Sequence, residues 1–510
     1  MESAANQETQ PLRDAILSGR HSRPDGGQLA PRLHSFLGDE RGALGIWFGT
    51  QVAAPAMDQD VLRGLIDRDI TAIDDLLSEQ LDEVLHDARL QRFEGSWRGL
   101  WWLVQGIEPG RHVKVAVLPA SWRDLDRDVA RAVEFDQSSV FRLVYENEFG
   151  SPGGEPFGLL LIDHEVSHRP GPRDQSGQAP VDDISLMTTF ASIAAAAFVP
   201  TVLAASPALL GVDRFEDLAL SSDLTSTLED HDHARWRAAA SREDARFICV
   251  TLPRVQARPR WTVHPDHAGG LRYQEHAPGS RERTWSVAGY AFAALVARSH
   301  ADHGWPADVR GVGTDRVGGG LVLNLPQEPF VFGPATTSLR GPLSLGLTDA
   351  QEHALTQAGL MPLNTLPYGE AAFASVHSLQ TVRAPAPGRE PTAAQANRRI
   401  STQISAMLCA SRFAHYIKIL GRELTGSFLE ASEVEIRLQR WLSNYVNTNQ
   451  ESRPETRAST PLLEGQVEVR SLKEQPGSYN CVFHLRPYHQ LDDISTTFRL
   501  VTSFSNPGVA

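Results

Sequence analysis

From residue 61 to residue 90, apolar residues recur every three or four positions. Leu62, Leu65, Ile66, Ile73, Leu76, Leu77, Leu81, Val84 and Leu85 share one side and acidic and amide residues fill the other, a spacing that predicts an amphipathic helix. A second helix is expected to carry FEGSWRGLWW at 93–102, with its aromatics in the core. Short apolar runs predict strands at 112–118 (HVKVAVL), 140–145 (VFRLVY), 157–162 (FGLLLI) and 247–252 (FICVTL), with a helix over 122–135. The most apolar stretch, 190–210, is interrupted by Pro200 and Pro207 and dominated by Ala, which predicts a buried helix followed by a strand, not a membrane span. Further helices are predicted over 285–304, 392–422 (one long helix or a broken pair) and 434–446, where Val434, Leu438, Trp441, Leu442 and Tyr445 share a side. The glycine-rich 311–325 reads as a turn entering a strand, and 373–376 as another strand. Residues 466–469 and 479–485 read as a hairpin turning at Pro476-Gly477, and 494–504 as a final strand. Strands alternating with helices define an α/β class of mixed α+β character, with mixed sheets flanked by helices.

The segments between these elements divide the chain. Residues 1–40 are polar and rich in Gly, Pro and Arg, so an arm with little to bury is expected over 1–60. Within it, 44–52 (LGIWFGTQV) reads as one strand without an obvious neighbour, either a local edge or a strand donated to another molecule. A central region spans 61–382, with an Arg-, His- and Pro-rich exposed insertion at about 255–285. The run RAPAPGREP at 383–391 is an extended linker, and 392–510 forms the last unit. No internal repeat is present.

Charge and cysteine content narrow the function. The chain has 510 residues, with 48 Lys+Arg against 62 Asp+Glu, giving a net charge of −14. Such a surface repels phosphate backbones, which argues against a nucleic-acid partner. Three widely separated cysteines, Cys249, Cys409 and Cys481, have neither metal-ligand nor redox-pair spacing and suit a reducing cytoplasm. The N-terminal residues lack the charged and apolar regions of a signal peptide.

The strongest chemical motif is His164-Glu165-Val166-Ser167-His168, a literal H-E-x-x-H. Zinc proteases need that string on a helix, so that both imidazoles reach one metal and the Glu acts as base. Here it follows a strand, and Pro170 and Pro172 stop helical continuation, while an extended chain separates i from i+4 by ~13 Å. Polar strand-end residues are the favoured reading. Asp230-His231-Asp232-His233 reads as a solvated face. Gly311-Val312-Gly313 and Gly318-Gly319-Gly320 lack a phosphate-loop pattern and a nearby Lys, so a flexible turn is expected. No catalytic, cofactor-binding or metal-binding residue is therefore assigned.

Several strings taken together resemble the VipB/TssC family, the large subunit of the type VI secretion contractile sheath. They are Ala72-Ile73-Asp74-Asp75-Leu76-Leu77-Ser78-Glu79-Gln80-Leu81 running into FEGSWRGL, the strand and Asp163-His164-Glu165-Val166-Ser167-His168, and Thr251-Leu252-Pro253-Arg254-Val255. The most specific set is C-terminal: SRFAHY at 411–416, GSF at 426–428, WLSNYVN at 441–447, PGSY at 476–479 and LRPYHQL at 485–491, in the family's order. The first 60 residues and 257–283 depart from the pattern.

The resemblance implies a contractile-sheath fold with inter-subunit strand exchange, and a chain that does mechanical work without hydrolysing anything. It implies pairing with a small sheath subunit, stacking with further copies of itself around inner-tube hexamers on a baseplate, and recycling by an AAA+ unfoldase, in the cytoplasm and without membrane insertion. It points to Leu44, Gly45, Ile46, Trp47 and Phe48, and to Thr497, Phe498, Arg499 and Leu500, as inter-subunit strands. Glu433, Glu435, Arg437 and Arg440 become candidate inner-tube contacts, against plain core packing of Trp441 and Tyr445 in the same helix. The alternatives are a non-polymerising paralogue at the baseplate or cap and, last, a zinc hydrolase using the HEVSH string.

Overall fold

A computed structural model describes residues 11–18, 29–38, 42–49, 58–171, 179–220, 223–263, 270–312, 317–331, 337–366, 369–381, 401–424, 430–449, 452–471, 479–488 and 498–504. The chain forms two compact units, one of residues 1–91 with 260–283, the other of 92–259 with 284–510.

The first unit is helical. Short helices α1 (Leu12–Leu17), α2 (Leu29–Gly38) and α3 (Ala43–Phe48) accompany the long α4 (Gln59–Leu85). The expected strand at 44–52 is thus helical as far as Phe48, and residues 50–52 lie outside the described residues. The cause is a polar anchor on α4. Asp69 is buried and receives the Arg13 guanidinium at 2.7 Å and the Trp47 indole N–H at 3.0 Å, which fixes α1 and α3 on the same helix while Leu12 and Phe48 bury beside them. The arm therefore buries more than its composition suggested. Residues 260–283 are likewise not a plain exposed loop. Glu275 is buried and accepts from the Trp261 N–H at 2.9 Å with His86 Nε2 3.3 Å away, and the Tyr273 hydroxyl donates to Asp82 at 2.6 Å.

The second unit takes in α5 (Ala88–Gln105) from Arg92 onward, then α6 (Trp122–Arg131) and α7 (Ser139–Phe141), the last continuing as a π-helix through Arg142–Gly150. The strand expected at 140–145 is wrong. Ser138 caps the helix by accepting from the Phe141 N–H, and Val140, Phe141, Val144 and Phe149 bury at helical spacing.

Behind these helices lies a parallel sheet in the order β1–β2–β3–β9, made of β1 (Leu160–Val166), β2 (Thr201–Ala205), β3 (Ile248–Leu252) and β9 (Met361–Pro362). The crossover from β1 to β2 is α8 (Asp183–Ala197), the helix read from the Ala-rich run. Leu203, Ile248, Val250 and Leu252 enter one core, while Val202, Cys249 and Met361 enter another with Phe292 of α9 (Gly289–His303) and Phe373. Burial of both faces explains why these strands read as continuous apolar runs. Three small antiparallel sheets are also present among the described residues: two pairs, β4 (Val255–Gln256) with β5 (Trp285–Ser286) and β7 (Glu328–Val331) with β8 (Thr337–Arg340), and a three-stranded one in which β11 (Ala371–Ala372) lies between β6 (Leu321–Val322) and β10 (Asn364–Thr365).

The C-terminal part holds α10 (Asp349–Gln357), α11 (Ile404–Leu424), α12 (Ala431–Ser443) and an antiparallel sheet. In that sheet β13 (Tyr479–Pro487) is central, between β12 (Leu462–Ser471) and β14 (Phe498–Phe504). Val467 faces Phe483 across the first pair and Phe483 faces Leu500 across the second. The linker 383–391, the turn at 476–477 and Thr497 lie outside the described residues.

Candidate assembly surfaces

The metalloprotease-like string is dismantled by strand geometry. His164 and Glu165 lie in β1, where successive side chains leave opposite faces. His164 stacks on Trp122 at 4.4 Å, bonds Asp183 at 3.0 Å through Nε2 and sits 3.3 Å from the Arg92 guanidinium. Glu165 accepts a bidentate pair from Arg254 at 2.6 and 2.7 Å. His168 stacks on His233 at 3.9 Å, and burial, with His233 and Arg169 close by, lowers its pKa. Three side chains thus have three separate partners. Among the described residues no cluster of three or more His, Cys, Asp or Glu could hold a metal ion.

The other chemical candidates also resolve into packing. His233 is buried, not solvated, and its Nε2 meets the Leu209 carbonyl at 2.9 Å. The glycine turn is tight: Gly320 donates to the Gly311 carbonyl at 2.7 Å and Phe373 donates to Gly320 at 3.0 Å. A β-carbon on Gly320 would lie 2.0 Å from the Phe373 carbonyl oxygen, so glycine there serves close approach and no phosphate cradle. The three cysteines are buried free thiols; burial pushes Cys409 and Cys481 up to about 12 and Cys249 higher still.

What the second unit does offer is exposed apolar surface. Gly95, Gly99 and Leu103 form the buried face of α5, because a β-carbon at Gly95 would meet the Trp285 carbonyl oxygen at 2.0 Å and one at Gly99 the Tyr290 ring at 2.5 Å. That turns Phe93, Trp97 and Trp101 outward, at 62%, 54% and 63% exposure, with Val104 beyond them. The expectation of core aromatics is therefore corrected for these three, whereas Trp102 packs against buried clusters as expected. The small residues at i, i+4 spacing were the missed signal, since they mark the side that packs closely.

Residues 112–118, expected as a strand, form no strand and pair with none among the described residues. Val113, Val115 and Val117 line an open groove with Leu100, Val104 and Ile107 of the preceding segment, and Val115, Val117 and Leu118 are exposed. Exposed apolar side chains gathered along one groove make this surface a candidate for contact with a partner.

The second surface is the C-terminal sheet with α12. Val434, Leu438 and Leu442 bury against Phe413, Val467 and Phe483, and Trp441 and Tyr445 pack on the same cluster, so core packing of those two aromatics is observed. Of the four charged candidates on α12, Glu433 bonds the Glu430 N–H at 3.0 Å in a capping box, and Glu433, Arg437 and Arg440 are exposed. Glu435 is turned the other way, its carboxylate accepting from the Val469 N–H at 2.9 Å. Phe498, Arg499 and Leu500 lie in β14 opposite Leu485, His484 and Phe483.

The comparisons match this architecture over both parts of the chain. Residues 67–380 match the VipB family model, described as EvpB/VC_A0108, tail sheath N-terminal domain. Residues 393–504 match its companion, described as the tail sheath gpW/gp25-like domain. A curated relative, the Type VI secretion system sheath protein TssC1 of Pseudomonas aeruginosa, is 32% identical over 438 residues, covering 85% of this chain and 84% of the relative. A chain in the cryo-EM structure of the anti-feeding prophage baseplate overlaps 76% of this chain and 83% of its own length, at 10% identity and a TM-score of 0.35, a likeness too weak to define the fold. The class defined by both domains is that of tail sheath proteins. Within it, this chain belongs to the VipB family.

Proposed function

We propose that the chain is the large subunit of a type VI secretion contractile sheath. It pairs with a small sheath subunit, the pairs stack with further copies into a helical tube around inner-tube hexamers on a baseplate, and contraction drives the inner tube outward. It works in the bacterial cytoplasm without catalysis of its own, and an AAA+ unfoldase recycles it. Family membership supports this reading. So does the absence, among the described residues, of a helix long and apolar enough to cross a membrane.

The observation that carries it is the aromatic row of Phe93, Trp97 and Trp101 beside the unpaired 112–118 run. Three large aromatics in water disfavour an isolated chain and favour one that is covered by a partner. The small sheath subunit is the proposed cover. The inter-subunit strand is proposed at β14, with Phe498, Arg499 and Leu500, because donation of Leu44, Gly45, Ile46, Trp47 and Phe48 would first have to unwind α3 and release Trp47 from Asp69. Glu433, Arg437 and Arg440 remain the proposed inner-tube contacts. The run at 383–391 is proposed as the tether between the two sheath regions.

Trp97→Ser with Trp101→Ser tests the docking row. The chain should keep its unfolding midpoint, while co-purification of the small sheath subunit falls at least ~10-fold, the scale of losing two aromatic anchors. Full retention of the small subunit by the variant would contradict the assignment.

A further inference from the structure

The C-terminal sheet has two outer strands, β12 and β14. The β12 edge is covered. At its start, Leu462 donates to the Tyr445 carbonyl at 3.1 Å and accepts from the Asn447 N–H at 2.8 Å, so the chain leaving α12 pairs alongside it. Further along, the edge is met by side chains. The Gln439 amide donates to the Gly465 carbonyl at 3.0 Å and accepts from the Val467 N–H at 2.9 Å, and Glu435 accepts from the Val469 N–H at 2.9 Å. Gln439 therefore presents one donor and one acceptor, as a peptide unit of a neighbouring strand would. Glu435 and Gln439 are four apart on α12 and reach alternate residues of β12, so one helix face serves the repeat of the strand. Gly465 makes this approach possible, because a β-carbon there would lie 2.9 Å from the Leu442 side chain.

We propose that Glu435 and Gln439 close the β12 edge of this sheet against an added strand. An open edge templates strand addition, and capping it removes that site. The added strand being another subunit's rests on the sheath reading, whereas the capping does not.

Hydrogen exchange on the full chain, followed at the Val467 and Val469 amides, tests it together with sedimentation. In Glu435→Ala/Gln439→Ala both amides should exchange roughly tenfold faster, and concentration-dependent oligomers absent from the unaltered chain should appear. Glu435→Gln keeps an acceptor oxygen and should preserve protection at Val469. Unchanged exchange in the double variant overturns the capping, and faster exchange without new oligomers overturns its role as a guard against strand addition. Should the double variant fail to fold, Glu435→Leu frees Val469 alone and is read at that amide and by sedimentation in the same way. These readouts use the chain without a partner, so they stand or fall separately from tube formation.

Discussion

His415 sits within the SRFAHY string and is buried, bonding the Ala197 carbonyl through Nε2 at 3.0 Å with its ring 5.2 Å from Phe149. Burial, reinforced by Arg412 and Lys418, lowers its pKa from 6.5 to about 4. A histidine depressed in the fold favours the neutral form, so its contribution is complete above pH 6.5 and is lost as pH falls toward about 4. The loss should amount to ~3 kcal/mol, measurable as a falling urea midpoint across that window. His415→Gln should remove most of that slope; an equal slope in the variant would contradict the assignment. Sequence showed the string but not this environment, because burial of one side chain depends on a helix more than two hundred positions earlier. The same limit applied to His233 and Asp69, whose burial needs partners far along the chain. The dismissal of HEVSH, by contrast, was legible from one strand and two prolines.

At the scale of elements, period decided what could be read. The 61–90 helix, the Ala-rich helix and strand, the 248–252 strand and the C-terminal hairpin follow from clear spacing. Residues 140–145 failed because Val140, Phe141 and Val144 fit both periods over six positions, and only Ser138 as a cap breaks the tie. The short strands β7 to β11, of two to four residues, leave too few positions for any pattern. On α5 the residue types were legible but the facing was not, since glycine carries no hydrophobic signal. That facing is testable. Gly95→Ala places a methyl group against the Trp285 carbonyl and should destabilise the chain by ~3 kcal/mol in chemical denaturation, whereas Ser96→Ala at the adjacent half-buried position should change it by less than ~0.5 kcal/mol. Equal effects would show that α5 does not pack through its glycines.

At the scale of the whole molecule, the assembly surfaces were only half visible in the sequence. The family and its sheath role came through in the order of C-terminal strings, and α12 was correctly placed as an amphipathic helix. Which of its charges were free was not, because Glu435 is directed by the register of β12 and not by its own neighbours. The outward aromatics were misread because a Trp-rich helix fits a core and an interface equally well until something occupies its other side.

The central claim is that this protein works by locking to copies of itself beside a smaller companion. Electron microscopy of the full chain co-expressed with its small sheath subunit measures that directly. The account predicts long helical tubes containing both chains. Discrete complexes that never lengthen, at any concentration tested, would contradict it.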